Sequence, residues 1–167
     1  MRQMKTVVCT ILFTSCLAAK AIAAMPAPLT LDQLVEICGS STIAEAAARG
    51  DTSGWGRMSD QIVANWKAGF LAYNGGPVQV VGWRRSDDEK DGLLSFWIAG
   101  GPNAQKACTY MIFGQAGFLE GLEKRFGSPD GRDQYDDRIT AFWKKGPQEI
   151  AFSGTSANVL VTISSKD

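Results

Sequence analysis

The chain has 167 residues, 45% hydrophobic, 20% charged and 10% aromatic, with four cysteines and no histidine. That size and composition suit one domain with a real core and exclude a disordered, collagen-like or multi-span membrane chain. The formal charge is zero, and the missing histidine removes Ser–His and Cys–His catalysis and every His-ligated metal site.

Residues 1–24 read as a cleaved signal peptide. Arg2 and Lys5 form a charged start, Thr6 to Ala19 is a 14-residue, mainly apolar run, and Ala21-Ile22-Ala23 offers small residues for cleavage after Ala23 or Ala24. The run falls short of the roughly 20 residues that span a bilayer. Phe13 and Ser15 fit a lipid-attachment box at Cys16 poorly. The expectation is a periplasmic or secreted protein without a stable membrane anchor after cleavage. Loss of Arg2, Lys5 and Lys20 takes Lys plus Arg from 17 to 14 against 17 acids, a net charge of −3. Without a basic stripe, nucleic acid is excluded as a partner. Cleavage also removes Cys9 and Cys16. In an oxidising compartment the remaining pair, Cys38 and Cys108, predicts one structural disulfide, since the Cys-x-x-Cys spacing of a redox pair is missing.

The domain over 25–167 opens with a helix capped by Thr30 and Gln33, with Leu29 positioned to staple onto Leu34 and Leu31, Leu34, Val35 and Cys38 on one face. Thr42 and Glu45 open a second, alanine-rich helix that Gly50 should end. Asp51 to Arg57 reads as loop. Ser59 caps a third helix carrying Ile62, Val63, Trp66, Phe70 and Tyr73, which stops at Asn74-Gly75-Gly76-Pro77. Strands Val78–Arg85 and Leu93–Ala99 flank a polar turn, and Cys108–Phe113 is a third strand. A helix over about 116–126 ends at Gly127. Strands Ile139–Lys144, Glu149–Ser153 and Asn158–Ser164 close the chain. The order αααβββαβββ predicts an α+β fold with N-terminal helices packed on a mainly antiparallel sheet of about six strands.

Pairing Arg85 with Gly92 puts Trp83 opposite Leu94, Val81 opposite Phe96 and Gln79 opposite Ile98. Carried through the next turn, Ile98 faces Cys108, Phe96 faces Tyr110 and Leu94 faces Ile112. That face holds Cys108, so the first helix with Cys38 should cover it. Ile139, Ala141, Trp143, Ile150, Phe152, Val159, Val161 and Ile163 share one side of the last three strands, with Lys144 opposite Glu149 on the other. The second face of the first three strands carries Gly82, Arg84, Leu93, Ser95, Trp97, Thr109 and Met111. Either the third or fourth helix covers it, or it docks a partner. For docking, the candidate binding residues are Trp97 as anchor, with Arg84, Met111 and Thr109 around it, because tryptophan and arginine dominate interface hot spots and methionine adapts to fit.

Catalytic patterns are sparse. Asp87-x-Glu89-x-Asp91-Gly92 echoes half a calcium loop, but the twelfth position is Ile98, so the solvated turn is favoured and no metal is assigned. Asp130, Asp133, Asp136 and Asp137 lie in turn-type sequence near Arg132 and Arg138, which can neutralise them. Glu120 and Glu123 fit a solvated helix face, and Gly154-Thr155-Ser156 a hairpin tip. No catalytic residue and no cofactor is assigned. These features point to an exported binding module acting through contact with another protein, such as an inhibitor, an immunity-like antagonist or an accessory subunit. A small carboxylate-dependent hydrolase of envelope material and a structural envelope protein are the alternatives.

Overall fold

The computed structural model describes residues 25–86, 91–114 and 117–166. The predicted signal peptide and the acidic turn residues Asp87, Asp88 and Glu89 lie outside them.

Helix α1 (Leu31–Cys38) starts at the expected capping box: the Thr30 hydroxyl accepts from the Gln33 N–H, and the Gln33 side chain accepts from the Thr30 N–H. Helix α2 (Ile43–Asp51) has Thr42 as its cap, but Glu45 does not close a box. Its carboxylate instead takes the Ser41 N–H and pairs with Arg49. Gly50 does not end this helix. It sits within the last turn, buried, where a Cβ would collide with the Trp83 indole at Cζ2. The glycine is there to let a tryptophan lie against the helix, a role that chain-terminating chemistry does not reveal.

The expected architecture of about six strands in the order αααβββαβββ is overturned. Among the described residues there are four helices and eight strands, all in one antiparallel sheet, in the order ααβαβββαββββ. Strand β1 (Gly56–Arg57) precedes α3 (Asp60–Asn74), followed by β2 (Val78–Arg84), β3 (Gly92–Ala99), β4 (Gln105–Phe113), α4 (Phe118–Phe126), β5 (Gly131–Tyr135), β6 (Arg138–Lys145), β7 (Gln148–Gly154) and β8 (Asn158–Ser165). The spatial order is β1-β2-β3-β4-β8-β7-β6-β5. The two unexpected strands are its edges. β1 has two residues, and every residue of β5 is exposed, so neither carries the alternating apolar pattern that marks a half-buried strand. β5 is defined by backbone pairing to β6, through a tight turn in which Asp136 takes a positive φ of 51°.

The β2–β3 register is the expected one, with Trp83 opposite Leu94 and Val81 opposite Phe96. The β3–β4 register differs by two residues: Phe96 faces Cys108, Leu94 faces Tyr110 and Gly92 faces Ile112. β4 begins at Gln105 rather than Cys108, so the connecting turn is shorter than its sequence suggests. A shift of two preserves the faces, because side chains alternate with period two.

The first face is therefore the core. Trp83, Leu94, Phe96, Cys108, Tyr110, Trp143, Ile150 and Val161 are buried there together with Leu34, Ile37 and Cys38 of α1 and Leu119 and Leu122 of α4. The Cys38–Cys108 disulfide ties α1 to β4 across a sequence separation of 70, with the Cα atoms 5.2 Å apart. In the chain-entropy view a loop of that length stabilises by about 4 kcal/mol. Three core indoles donate to oxygen acceptors: Trp55 Nε1 to the Ala27 carbonyl at 2.9 Å, Trp83 Nε1 to Asp51 at 3.0 Å and Trp143 Nε1 to the Gly127 carbonyl at 2.8 Å. Burial pushes the Tyr110 hydroxyl well above the usual tyrosine range, a rise opposed by a backbone hydrogen bond at Leu29 and by the charge of Arg85.

Candidate functional site

The second face of the sheet is where the candidate binding residues meet. Three rows of paired residues cross it. The middle row runs Gly82, Ser95, Thr109, Thr162, Ala151 and Phe142, with small side chains everywhere except at its far end. One neighbouring row runs Arg84, Leu93, Met111, Leu160, Ser153 and Thr140, and the other Val80, Trp97, Ala107, Ser164, Glu149 and Lys144.

Helix α3 covers the β2–β3 end of this face. Trp66 lies over Gly82, where a Cβ would come within 2.6 Å of its ring, and Phe70 stacks on Trp97 with ring centroids 4.7 Å apart and planes 15° from parallel. Val78, Trp97, Ala99 and Ala107 form a small second core beneath it. Trp97 is only 8% exposed. The hollow that Gly82 and Ser95 leave is thus filled on the Gly82 side by Trp66 and opens on the Ser95 side as a groove of about 620 Å³.

Of the four residues expected to bind, the groove brings two together, Trp97 and Thr109. The Thr109 hydroxyl lies 3.2 Å from that of Thr162 on the next strand. Arg84 and Met111 sit one row away, on either side of Leu93, and both are half-buried. Beyond the groove the face is open: Leu160 is 41% and Phe142 38% exposed.

Four contributors escaped the sequence reading. Trp66 and Phe70 were visible as an apolar stripe, but no periodicity says which sheet face a helix will cover. Leu160 and Phe142 lie on strands whose other side carries the cleaner apolar alternation, so they read as part of a polar face.

Several of the acidic groups serve the fold. Asp130 accepts the Lys144 backbone N–H at 2.7 Å, Asp51 pairs with Arg57 and accepts from Trp83, and Asp32 pairs with Arg125. Arg132 reaches Glu123 at 2.9 Å rather than the neighbouring aspartates it was expected to neutralise. Of the calcium-like turn, the described residue Asp91 faces Arg85 at 3.7 Å. Among the described residues no group of three or more Asp, Glu, Cys or His is arranged to hold a metal ion.

No family model, curated protein or solved structure matches this chain. Its own geometry therefore carries the functional reading.

Proposed function

We propose that the protein is exported and acts as a non-catalytic binding module, engaging another protein through the open part of the second sheet face. The observation that carries this reading is the asymmetry of cover. Helices α1, α2 and α4 pack on the first face, whereas α3 covers the β2–β3 end of the second, and among the described residues no other helix packs on it, so that Leu160, Ala151 and Phe142 are exposed there. Strands lie about 4.8 Å apart, so the four strands β4, β8, β7 and β6 present a surface some 15–20 Å across. Partly exposed leucine, methionine and phenylalanine set among threonine and serine form the mixed surface typical of non-obligate interfaces.

Export is supported by the charged start and apolar run of residues 1–24 and by the Cys38–Cys108 disulfide, a bond suited to an oxidising compartment. Intact mass of the protein recovered from the exported fraction tests it. Cleavage after Ala23 or Ala24 is the expected result, and a full-length mass from that fraction would contradict it.

Affinity capture from the same fraction, with the wild type and Leu160→Glu side by side, tests the docking face. A stoichiometric partner that the wild type retains and Leu160→Glu loses supports the proposal, provided the variant's thermal unfolding matches the wild type. A partner retained equally by both would overturn it.

A further inference from the structure

Residues 25–30 form neither helix nor strand, yet three of them are fixed to the folded domain. The Pro26 carbonyl accepts from Arg85 Nε at 2.8 Å, and the Ala27 carbonyl accepts from the buried Trp55 indole at 2.9 Å. The Leu29 backbone is hydrogen-bonded to the buried Tyr110 hydroxyl, and the Leu29 side chain is itself buried. Pro26 also lies against the loop at Gly54, where an added Cβ would be 3.8 Å from Pro26 Cβ. Proline at 26 and 28 fixes two φ angles and favours an extended residue before each, so ordering this strap costs less entropy than ordering a general chain.

The strap begins beside the expected cleavage site. Pro26 is the second residue beyond a cut after Ala24 and the third beyond a cut after Ala23. An extended chain spans at most about 3.3–3.6 Å per residue, so the scissile bond lies within roughly 7–11 Å of the anchored Pro26 carbonyl. Only Met25, or Ala24 with Met25, stands between the bond and the strap. A peptidase grips the chain on both sides of the bond it cuts, and backbone already hydrogen-bonded to a folded domain is withheld from it.

We propose that docking of residues 26–29 sets the order of maturation: the signal peptide is removed first, the strap closes afterwards, and a precursor that folds before it is cut is a poor substrate for the signal peptidase. The proposal rests on the reading that residues 1–24 are a cleaved signal peptide. Cutting of a folded precursor draws on the small population in which the strap is open, so its rate reports how firmly Arg85, Trp55 and Tyr110 hold the strap.

Full-length precursor, folded in detergent with the Cys38–Cys108 bond formed, is incubated with a purified bacterial signal peptidase, and cleavage is followed by intact mass. A second precursor carries a Gly-Ser spacer of about eight residues, roughly 16 Å in mean span, between Met25 and Pro26. The spacer keeps the residues around the cut and leaves every anchor of the strap in place. The spacer form should be cut at least ten-fold faster than the native form. Trp55→Phe/Arg85→Met removes both side-chain donors to the strap, and that precursor, shown by near-ultraviolet circular dichroism to be folded, should be cut at least three-fold faster than the native form. Native cleavage as fast as that of the spacer form, or no gain in the folded double variant, would overturn the proposal while leaving the export reading standing. If the peptidase cuts neither the native nor the spacer form, the export reading fails and the proposal fails with it.

Discussion

Gly50 and Trp83 are packed so closely that the α2 backbone and the indole leave no room for a methyl group between them. The indole also donates to Asp51 at 3.0 Å, so the last turn of α2 is held to β2 by both shape and a hydrogen bond. Glycine inside a helix normally costs about 0.5–1 kcal/mol relative to alanine. At this position the sign should reverse: Gly50→Ala is expected to destabilise by about 1–3 kcal/mol, the usual range for overpacking. Urea denaturation of the two proteins checks it, and a stabilised variant would show that the contact is not rigid.

Trp143 is fully buried and donates to the Gly127 carbonyl at 2.8 Å, joining β6 to the end of α4. Trp143→Ala should cost about 3–5 kcal/mol. Trp143→Phe keeps most of the packing but leaves the Gly127 carbonyl without this donor, and should cost less than the alanine variant. Equal losses in the two variants would mean that the hydrogen bond, rather than the ring, dominates.

The Trp83 and Trp143 positions also show what a sequence can disclose. Alternation in β6, β7 and β8 marks their apolar side, and that side is buried. Cys38 on the apolar stripe of α1 and Cys108 on the core face of β4 point to the same pairing from two directions, and they are bonded. The edges were illegible for a physical reason. Gly131–Tyr135 is exposed throughout and is a strand only because β6 offers it a backbone partner. The β3–β4 slip has a similar origin: nothing in Gln105, Lys106 or Ala107 favours strand, and the pairing with β3 draws them in. At the candidate site, side-chain alternation put Trp97 and Thr109 on one face, although Thr109 pairs with Ser95 rather than with Trp97. A cover by the third or fourth helix was one of the two readings of that face, and α3 lies over its β2–β3 end. Which of the two helices would take it was not legible, since that depends on the surfaces the other helices occupy.

Tyr110 gives the fold an alkaline limit. Burial raises its hydroxyl pKa above the unfolded tyrosine value of about 10, so the folded state holds the proton more tightly than the unfolded chain does. This contribution is fully present below about pH 10 and is lost as pH climbs beyond it. Denaturant unfolding from pH 8 to 11.5 should show stability falling above about pH 10, and Tyr110→Phe should flatten that slope. An unchanged slope in Tyr110→Phe would assign the effect to other groups.

The Cys38–Cys108 bond should leave no thiol free for alkylation in the mature protein. Replacing both cysteines by alanine should lower stability by about 2–5 kcal/mol, the usual loss for a native bridge in a small domain. Non-reducing mass spectrometry and urea denaturation check the two statements separately. Two alkylated cysteines in the native protein would contradict the first.

Hydroxyl-radical footprinting of the captured complex tests most directly whether the open half of the second sheet face is the docking surface. Labelling at Met111, Phe142 and Leu160 should fall on complex formation, while Tyr73 and Tyr135, 72% and 80% exposed and away from the centre of that face, should label as in the free protein. Protection of Tyr135 on the β5 edge, with Met111, Phe142 and Leu160 unchanged, would place the partner elsewhere and contradict the account.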